Sequence, residues 1–196
     1  MGQGGFLASQ TVPYITAEEY LEAERKAEYK SEYYDGQVYA MSGGTRWHSL
    51  IGVNLVRELS TALLDRCEVH ASDMRLRVSA GNAYTYPDVT VICGKPEFTG
   101  KGQDILVNPT VIVEVLSTST AGYDRGAKFV LYRTVQSLQE YLLVFQDERR
   151  VDLFTRLNDK DWRIETIHAT SGRLRLASVN VELTFDRIYL GVNPEA

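Results

Sequence analysis

Two stretches constrain what this chain can fold into more than any other feature. They are Tyr86-Pro87-Asp88-Val89-Thr90-Val91-Ile92-Cys93 and Thr110-Val111-Ile112-Val113-Glu114-Val115-Leu116-Ser117. Each is a short run rich in β-branched residues and bounded by turn formers, the pattern of a strand buried on both faces. Each also carries one carboxylate. An acid is almost never fully buried unless it is paired or metal-bound, so Asp88 and Glu114 mark a candidate site before anything else is known.

The separation between the two acids is a strand remainder, a loop and a strand entry, which suits adjacent strands of one sheet. Side by side on one face, the carboxylates repel, and one takes up a proton unless a cation lies between them. A hard divalent ion such as Mg²⁺ resolves this, because it accepts one or two carboxylates, keeps several waters and can activate one of them as a nucleophile. Strand alternation turns Ile112, Glu114 and Leu116 to one side and Val115 to the other, leaving the Val115 carbonyl available as a ligand. Phosphodiester cleavage also needs positive charge opposite the developing phosphorane oxygens. Lys128 supplies it if the helix following the Glu114 strand packs over the site.

The chain has 196 residues, 44% hydrophobic and 24% charged, which is ordinary for one globular domain with a sizeable core. Its net charge of −5 and pI near 5.3 argue against a general nucleic-acid coat protein, though not against a local basic groove from Arg46, Arg75, Arg77, Lys95, Lys101 and Arg125. Cys67 and Cys93 are too few and too far apart for a zinc knuckle and do not suggest a disulfide framework, so a reducing compartment is expected. No apolar run is long enough to span a bilayer, and residues 1–10 lack the features of a signal peptide, so the expectation is a cytoplasmic protein with no membrane partner.

In chain order, residues 1–12 read as a loose segment and 13–196 as a single domain. Thr16-Ala17-Glu18-Glu19 has capping-box spacing and predicts a helix over Ala17 to Ala27. Asp35-Gly36 between two β-prone arms predicts a hairpin over Glu32 to Met41 with a type I′ turn. After Ser42-Gly43-Gly44-Thr45, which reads better as a helix cap than as a phosphate cradle, apolar residues from Leu50 to Leu63 recur at helical spacing. Val69 to Val78 reads as a half-exposed strand, an antiparallel neighbour of the Asp88 strand. Gly94 to Asn108 reads as a loop. Ser117 to Thr120 offer caps for a helix over Ala121 to Thr134, on which Asp124, Lys128 and Tyr132 share one face. Strands follow at Glu140 to Phe145, Arg150 to Thr155, Asp161 to Ile167 and Arg173 to Val181, and a helical turn at Phe185 to Leu190.

Each candidate also has a plainer reading. Asp88 is a common strand-entry aspartate after proline, Glu114 is half of an ion pair with an arginine, and Lys128 is a solvated helix lysine. His48 is a hydrogen-bonded core histidine or a phosphate or water contact near a metal. Asp73 and Arg75 share a strand face and pair with each other. Tyr84, Tyr86 and Tyr132 pack in the core or stack on bases.

Pro87-Asp88, a gap and then Glu114-Val115-Leu116 resembles the PD-(D/E)XK nuclease superfamily. The longer series resembles the bacterial Uma family, whose members are assigned as endonucleases: Glu32 with Asp35-Gly36, His48 opening a helix, Asp73 and Arg75, Pro87-Asp88, Glu114 to Ser117, then Asp124-Arg125 and Lys128 to Tyr132. The resemblance spans Tyr14 to Thr155. It implies an α+β, restriction endonuclease-like fold with a mixed β-sheet flanked by helices, preceded by an N-terminal helix and hairpin. It implies Mg²⁺ or Mn²⁺ held by Asp88 and Glu114, with Asp73 close by, and DNA as substrate. Glu32 becomes an additional acid at the edge of the site. The position of the motif lysine holds Leu116, and Lys128 on the following helix is its replacement.

The expected protein is therefore a metal-dependent DNA endonuclease without an organic cofactor, using Asp88, Glu114, Lys128, Glu32 and His48. Fold analogy makes it a homodimer. The rival is a non-cleaving member of the fold that binds nucleic acid or a protein, and a third reading is a hydrolase of another phosphoester. A Lys128 side chain aimed at solvent favours the rival.

Overall fold

The structure, a computed structural model, describes residues 13–116, 122 and 124–193. Residues 1–12, the caps Ser117 to Thr120 and the start of the helix expected at Ala121 lie outside that range. Helix α1 (Ala17–Glu24) begins with the capping box that its sequence predicts: the Thr16 hydroxyl accepts the Glu19 N–H at 3.2 Å, and the Glu19 carboxylate accepts the Thr16 N–H at 2.8 Å. It ends before Ala27 because Lys26 and Ala27 donate to carbonyls three residues back, tightening the chain out of the α-helix.

β1 (Ser31–Tyr34) and β2 (Gln37–Ala40) form the expected hairpin, with Asp35 at φ 40° and Gly36 at φ 90°, the two positive values a type I′ turn requires. Thr45 caps α2 (Arg46–Ala62). The strand expected over Val69 to Val78 is instead two, β3 (Cys67–Ala71) and β4 (Arg75–Val78), which belong to different sheets. The alternation of Leu76 and Val78 holds for β4, but Ser72 and Asp73 turn the chain, and Met74 N–H closes the turn on Ala71.

β5 (Ala83–Thr85) leads into β6 (Val89–Cys93). The expected loop contains two short strands, β7 (Phe98–Thr99) and β8 (Ile105–Leu106), before β9 (Val111–Leu116). A π-helical turn, Asp124–Lys128, runs into α3 (Phe129–Tyr132). Then come β10 (Glu140–Phe145), β11 (Arg150–Arg156) and β12 (Trp162–His168). Arg173 to Val181 is not one strand but most of a hairpin, β13 (Arg173–Leu176) and β14 (Val181–Thr184), turned through Asn180 at φ 51°. The helical turn α4 (Phe185–Ile188) follows.

The central sheet has the order β12-β11-β10-β9-β6-β3, with β9 and β10 parallel and the other neighbours antiparallel. A second mixed sheet, β2-β1-β5-β4-β8-β7, lies against it. Val89, Val91, Val111, Val113 and Val115 face Ile51, Leu55 and Leu59 of α2 together with β13, β14 and α4. Ile92, Ile112 and Leu116 face the other way, onto Leu76 and Val78 of the second sheet and Leu131 and Tyr132 of α3. Both faces of β6 and β9 are thus covered, which is why they read as unbroken apolar runs. Each such buried side chain contributes about 1.5–3 kcal/mol.

Cys67 and Cys93 stand directly opposite each other in the β3–β6 register, Cα atoms 4.3 Å apart, and are bonded as a disulfide. This corrects the expectation of unbridged thiols: sequence separation concealed that the strand pairing brings the two to bridging distance. Among the described residues, no helix is long and apolar enough to cross a membrane.

Candidate active site

The β6–β9 register pairs Val89 with Val113, so the next residue out on each strand sets Asp88 against Glu114. Asp88 is held from two sides: its Oδ2 accepts the Val115 N–H at 2.7 Å and lies 3.2 Å from His48 Nε2. The Val115 backbone thus enters the site through its N–H. His48 arrives from the first turn of α2, where Thr45 Oγ1 accepts its N–H. Gly44 leaves room for the ring, since a Cβ there would fall 2.7 Å from His48 Nδ1. The hydrogen bond to Asp88 raises the imidazole pKa above its ordinary value.

Glu114 is buried on the opposite strand. Its Oε1 accepts hydrogen bonds from Tyr132 OH at 2.8 Å and Lys128 Nζ at 3.1 Å. The same ammonium lies 3.1 Å from Glu32 Oε1 on β1 and 3.3 Å from Asp124 Oδ1 one turn back. Spacing by four puts Asp124, Lys128 and Tyr132 on one face, as their sequence positions indicate. With its one proton given to Glu114, the Tyr132 hydroxyl accepts from Thr85 Oγ1 at 3.0 Å, tying α3 to β5.

Charge decides how this cluster behaves. Burial pushes the Glu114 pKa up to about 8, and the carboxylates of Asp88, Asp124 and Glu32 add to the rise, while Lys128 pulls it down without cancelling it. Burial alone would lower Lys128, but Glu114, Glu32 and Asp124 outweigh it and hold the ammonium well above the ordinary lysine range. Lys128 is therefore charged, and Glu114 is the group that keeps a proton near neutrality.

Asp88, Glu114, Lys128, Glu32 and His48 all line one cleft of about 1290 Å³, along with Asp124. Asp73 does not line it. It sits in the β3–β4 turn with its side chain 92% exposed and bonds Lys30 at 2.7 Å. Nor does it pair with Arg75, whose guanidinium donates to Tyr86 OH at 2.8 Å and reaches Asp104 at 3.5 Å. Sequence reasoning missed Asp124 as a member of the acid cluster and Tyr132 as a donor to Glu114, although their spacing from Lys128 was a usable signal. Base stacking on Tyr84, Tyr86 and Tyr132 is ruled out by their burial, with 5%, 4% and 0% of each exposed. None of the six basic residues considered for a groove lines the cleft: Arg75 is buried on Tyr86, and Arg125 bonds Asp152 at 3.0 Å.

The donor set is all oxygen, two carboxylates on facing strands with a surplus of negative charge around them. That fits a hard cation that uses one or two protein carboxylates and otherwise water. It does not resemble an all-protein cage: among the described residues, no group of three or more His, Cys, Asp or Glu is arranged to hold an ion.

Comparison with known proteins adds an independent line. Residues 17–187 match the model of the Uma2 family, described as "Putative restriction endonuclease". Two uncharacterized proteins of Synechocystis sp. are similar over nearly their whole length. One, sll1609, is 38% identical over 172 residues, covering 87% of this chain and 97% of the relative. The other, slr1290, is 41% identical over 186 residues, covering 94% and 96%. A crystal structure from Anabaena variabilis, titled as a "putative nuclease belonging to DUF820", superposes with a TM-score of 0.71 at 20% identity, covering 89% of this chain and 97% of that one. At that identity the likeness is one of fold.

Proposed function

The chain belongs to the Uma2 family, and on that premise we propose that it is a divalent-metal-dependent nuclease hydrolysing DNA phosphodiester bonds. The observation that carries the reading is the contact of Lys128 Nζ with the Glu114 carboxylate at 3.1 Å. The PD-(D/E)XK motif would have its lysine where this chain has Leu116; here an ammonium reaches the same acid from the next helical segment. A lysine directed at solvent would have favoured a non-cleaving module.

Asp88 and Glu114 would hold the ion, and Asp73 is assigned no part in it. A bound Mg²⁺ or Mn²⁺ supplies Lewis-acid charge and acidified water. To ligate a cation, Glu114 would have to be ionised, so its raised pKa would make metal binding weaken as pH falls. His48 and the Val115 N–H fix the Asp88 carboxylate in one orientation. Lys128, held charged by its carboxylates, offsets negative charge growing on the phosphoryl oxygens. Tyr132 OH holds Glu114 in place by donating to Oε1.

The test is cleavage of supercoiled plasmid and of single-stranded DNA with Mg²⁺ or Mn²⁺, comparing the parent with Asp88→Ala, Glu114→Ala and Lys128→Ala. Loss in both acid variants and a sharp fall in the lysine variant is the expected result. A folded parent that cleaves neither substrate with either metal would overturn the proposal.

A further inference from the structure

The face of the β1–β2 hairpin that delivers Glu32 to Lys128 does not stop there. Tyr39 is the direct cross-strand partner of Glu32, and Tyr34 lies two residues beyond Glu32, so all three project from the same side of the ribbon. Tyr39 is 52% exposed and Tyr34 43%, and both line the cleft. An aromatic wall therefore runs outward from the acid cluster. α2 also lines the cleft, with Gly52 beside the exposed Val53, and a Cβ added at Gly52 would meet nothing within 4 Å. At that one position the lining is cut back to backbone.

The cations available to phosphates are few. Besides buried Lys128, the cleft is lined by Lys30 and Arg57 alone among lysines and arginines of the described residues. Lys30 bonds Asp73 and the Ser72 carbonyl, while Arg57 bonds Glu58 at 3.0 Å. Duplex binding draws its affinity from neutralising a track of phosphates, and the described residues of this cleft form no such track. Unpaired strands also draw on cations, but they add the stacking of exposed bases on aromatic faces, whatever the sequence, which a duplex with its bases paired inside does not offer.

Resting on the nuclease reading above, we infer that the cleft takes single-stranded DNA, with unpaired bases stacked on Tyr39 and Tyr34 so that the adjoining phosphate lies at the Asp88, Glu114 and Lys128 cluster. The open side at Gly52 accommodates the base, and with Lys30 and Arg57 as the described cations beside Lys128, stacking gives the unpaired strand its advantage over the intact duplex. An end, a gap or a locally melted segment has the required chemistry.

The test is fluorescence anisotropy with the whole chain in Ca²⁺ buffer, using a labelled oligothymidine, a duplex of the same length and an abasic strand of the same length. Oligothymidine should bind about tenfold or more tighter than either competitor. Tyr39→Ala should weaken oligothymidine binding by about 5- to 150-fold, the range of one stacked base, while Tyr39→Phe retains it. Gly52→Trp, which fills the open side, should abolish binding while leaving far-ultraviolet circular dichroism unchanged. Equal binding of the abasic strand, or binding of the duplex as tight as oligothymidine, would overturn this inference and leave the nuclease reading standing. Failure of the folded parent to bind any of the three would overturn both. The comparison among parent ligands needs no variant to fold.

Discussion

Replacing Glu114 by Gln should change how stability depends on pH, in a direction set by the burial of that carboxyl. Its pKa rises from an ordinary 4.5 to about 8 in the folded chain. The folded state then binds the proton more tightly than the unfolded state. The associated stability is complete below about pH 4.5 and is lost as pH rises to about 8. At about 1.4 kcal/mol per unit, the full loss is on the order of 5 kcal/mol, an upper figure because Lys128 shares the site. Glutamine reproduces the neutral acid: its Oε1 can still accept from Lys128 and Tyr132, and it has no proton to lose. Parent and Glu114→Gln should therefore have nearly equal urea midpoints near about pH 5, with the variant ahead by several kcal/mol near about pH 8.5. The assay is urea unfolding followed by tryptophan fluorescence across that range in chelator, so that no metal compensates the charge. Adding Mg²⁺ should restore the parent at high pH and do little for the variant. Parallel curves, or a parent that gains on the variant as pH rises, would refute the claim that Glu114 carries the proton of the cluster.

Lys128→Met removes the ammonium that three carboxylates share, and should cost about 3–5 kcal/mol in urea unfolding at neutral pH, with much of the loss recovered in acid as the acids protonate. Tyr132→Phe deletes the bonds to Glu114 and Thr85 and should cost about 1–3 kcal/mol by the same measurement, with cleavage reduced because Glu114 loses a fixed donor. Gly52→Ala should raise stability by about 0.5–1 kcal/mol, since the glycine lies inside α2 and an added Cβ meets nothing; the thermal midpoint reads this directly. Asp73→Asn should leave both cleavage and stability close to the parent, within roughly 1 kcal/mol, because its one ion pair is exposed.

The parts of this protein that were legible in its sequence are those dictated by local rules. Thr16 and Glu19 wrote the start of α1, and Asp35-Gly36 wrote the hairpin turn, because both depend on residues within a few positions. The apolar runs around Asp88 and Glu114 announced strands buried on both faces. What stayed hidden depends on pairing at long range. Alternation from Met74 to Val78 is real, but nothing local says that the chain changes sheets at Ser72 and Asp73, and so a sequence reading that places Asp73 at the candidate site misses that it lies in an exposed turn. The Cys67–Cys93 bridge was concealed in the same way, for only the β3–β6 register makes the two residues opposite.

The displaced lysine joins these two kinds of information. Two acids on facing core strands create a debt of charge that some cation must offset, and a lysine at position 116 would be the shortest answer. With Leu116 there instead, beside its cross-strand partner Phe145, the central sheet gains a buried apolar side chain on the face where the second sheet and α3 close over it. The cation must then come from another element, and α3's preceding turn supplies it with Asp124 and Tyr132 arranged four residues to either side. An ammonium delivered by a helical segment is held by what surrounds it, and Glu32 from β1 completes the set. The hairpin is thus bound to the acid cluster through Lys128, so the tyrosine face it carries is fixed relative to the carboxylates. A lysine supplied from off the strand couples the charge of the acid cluster to the tyrosine wall of the cleft.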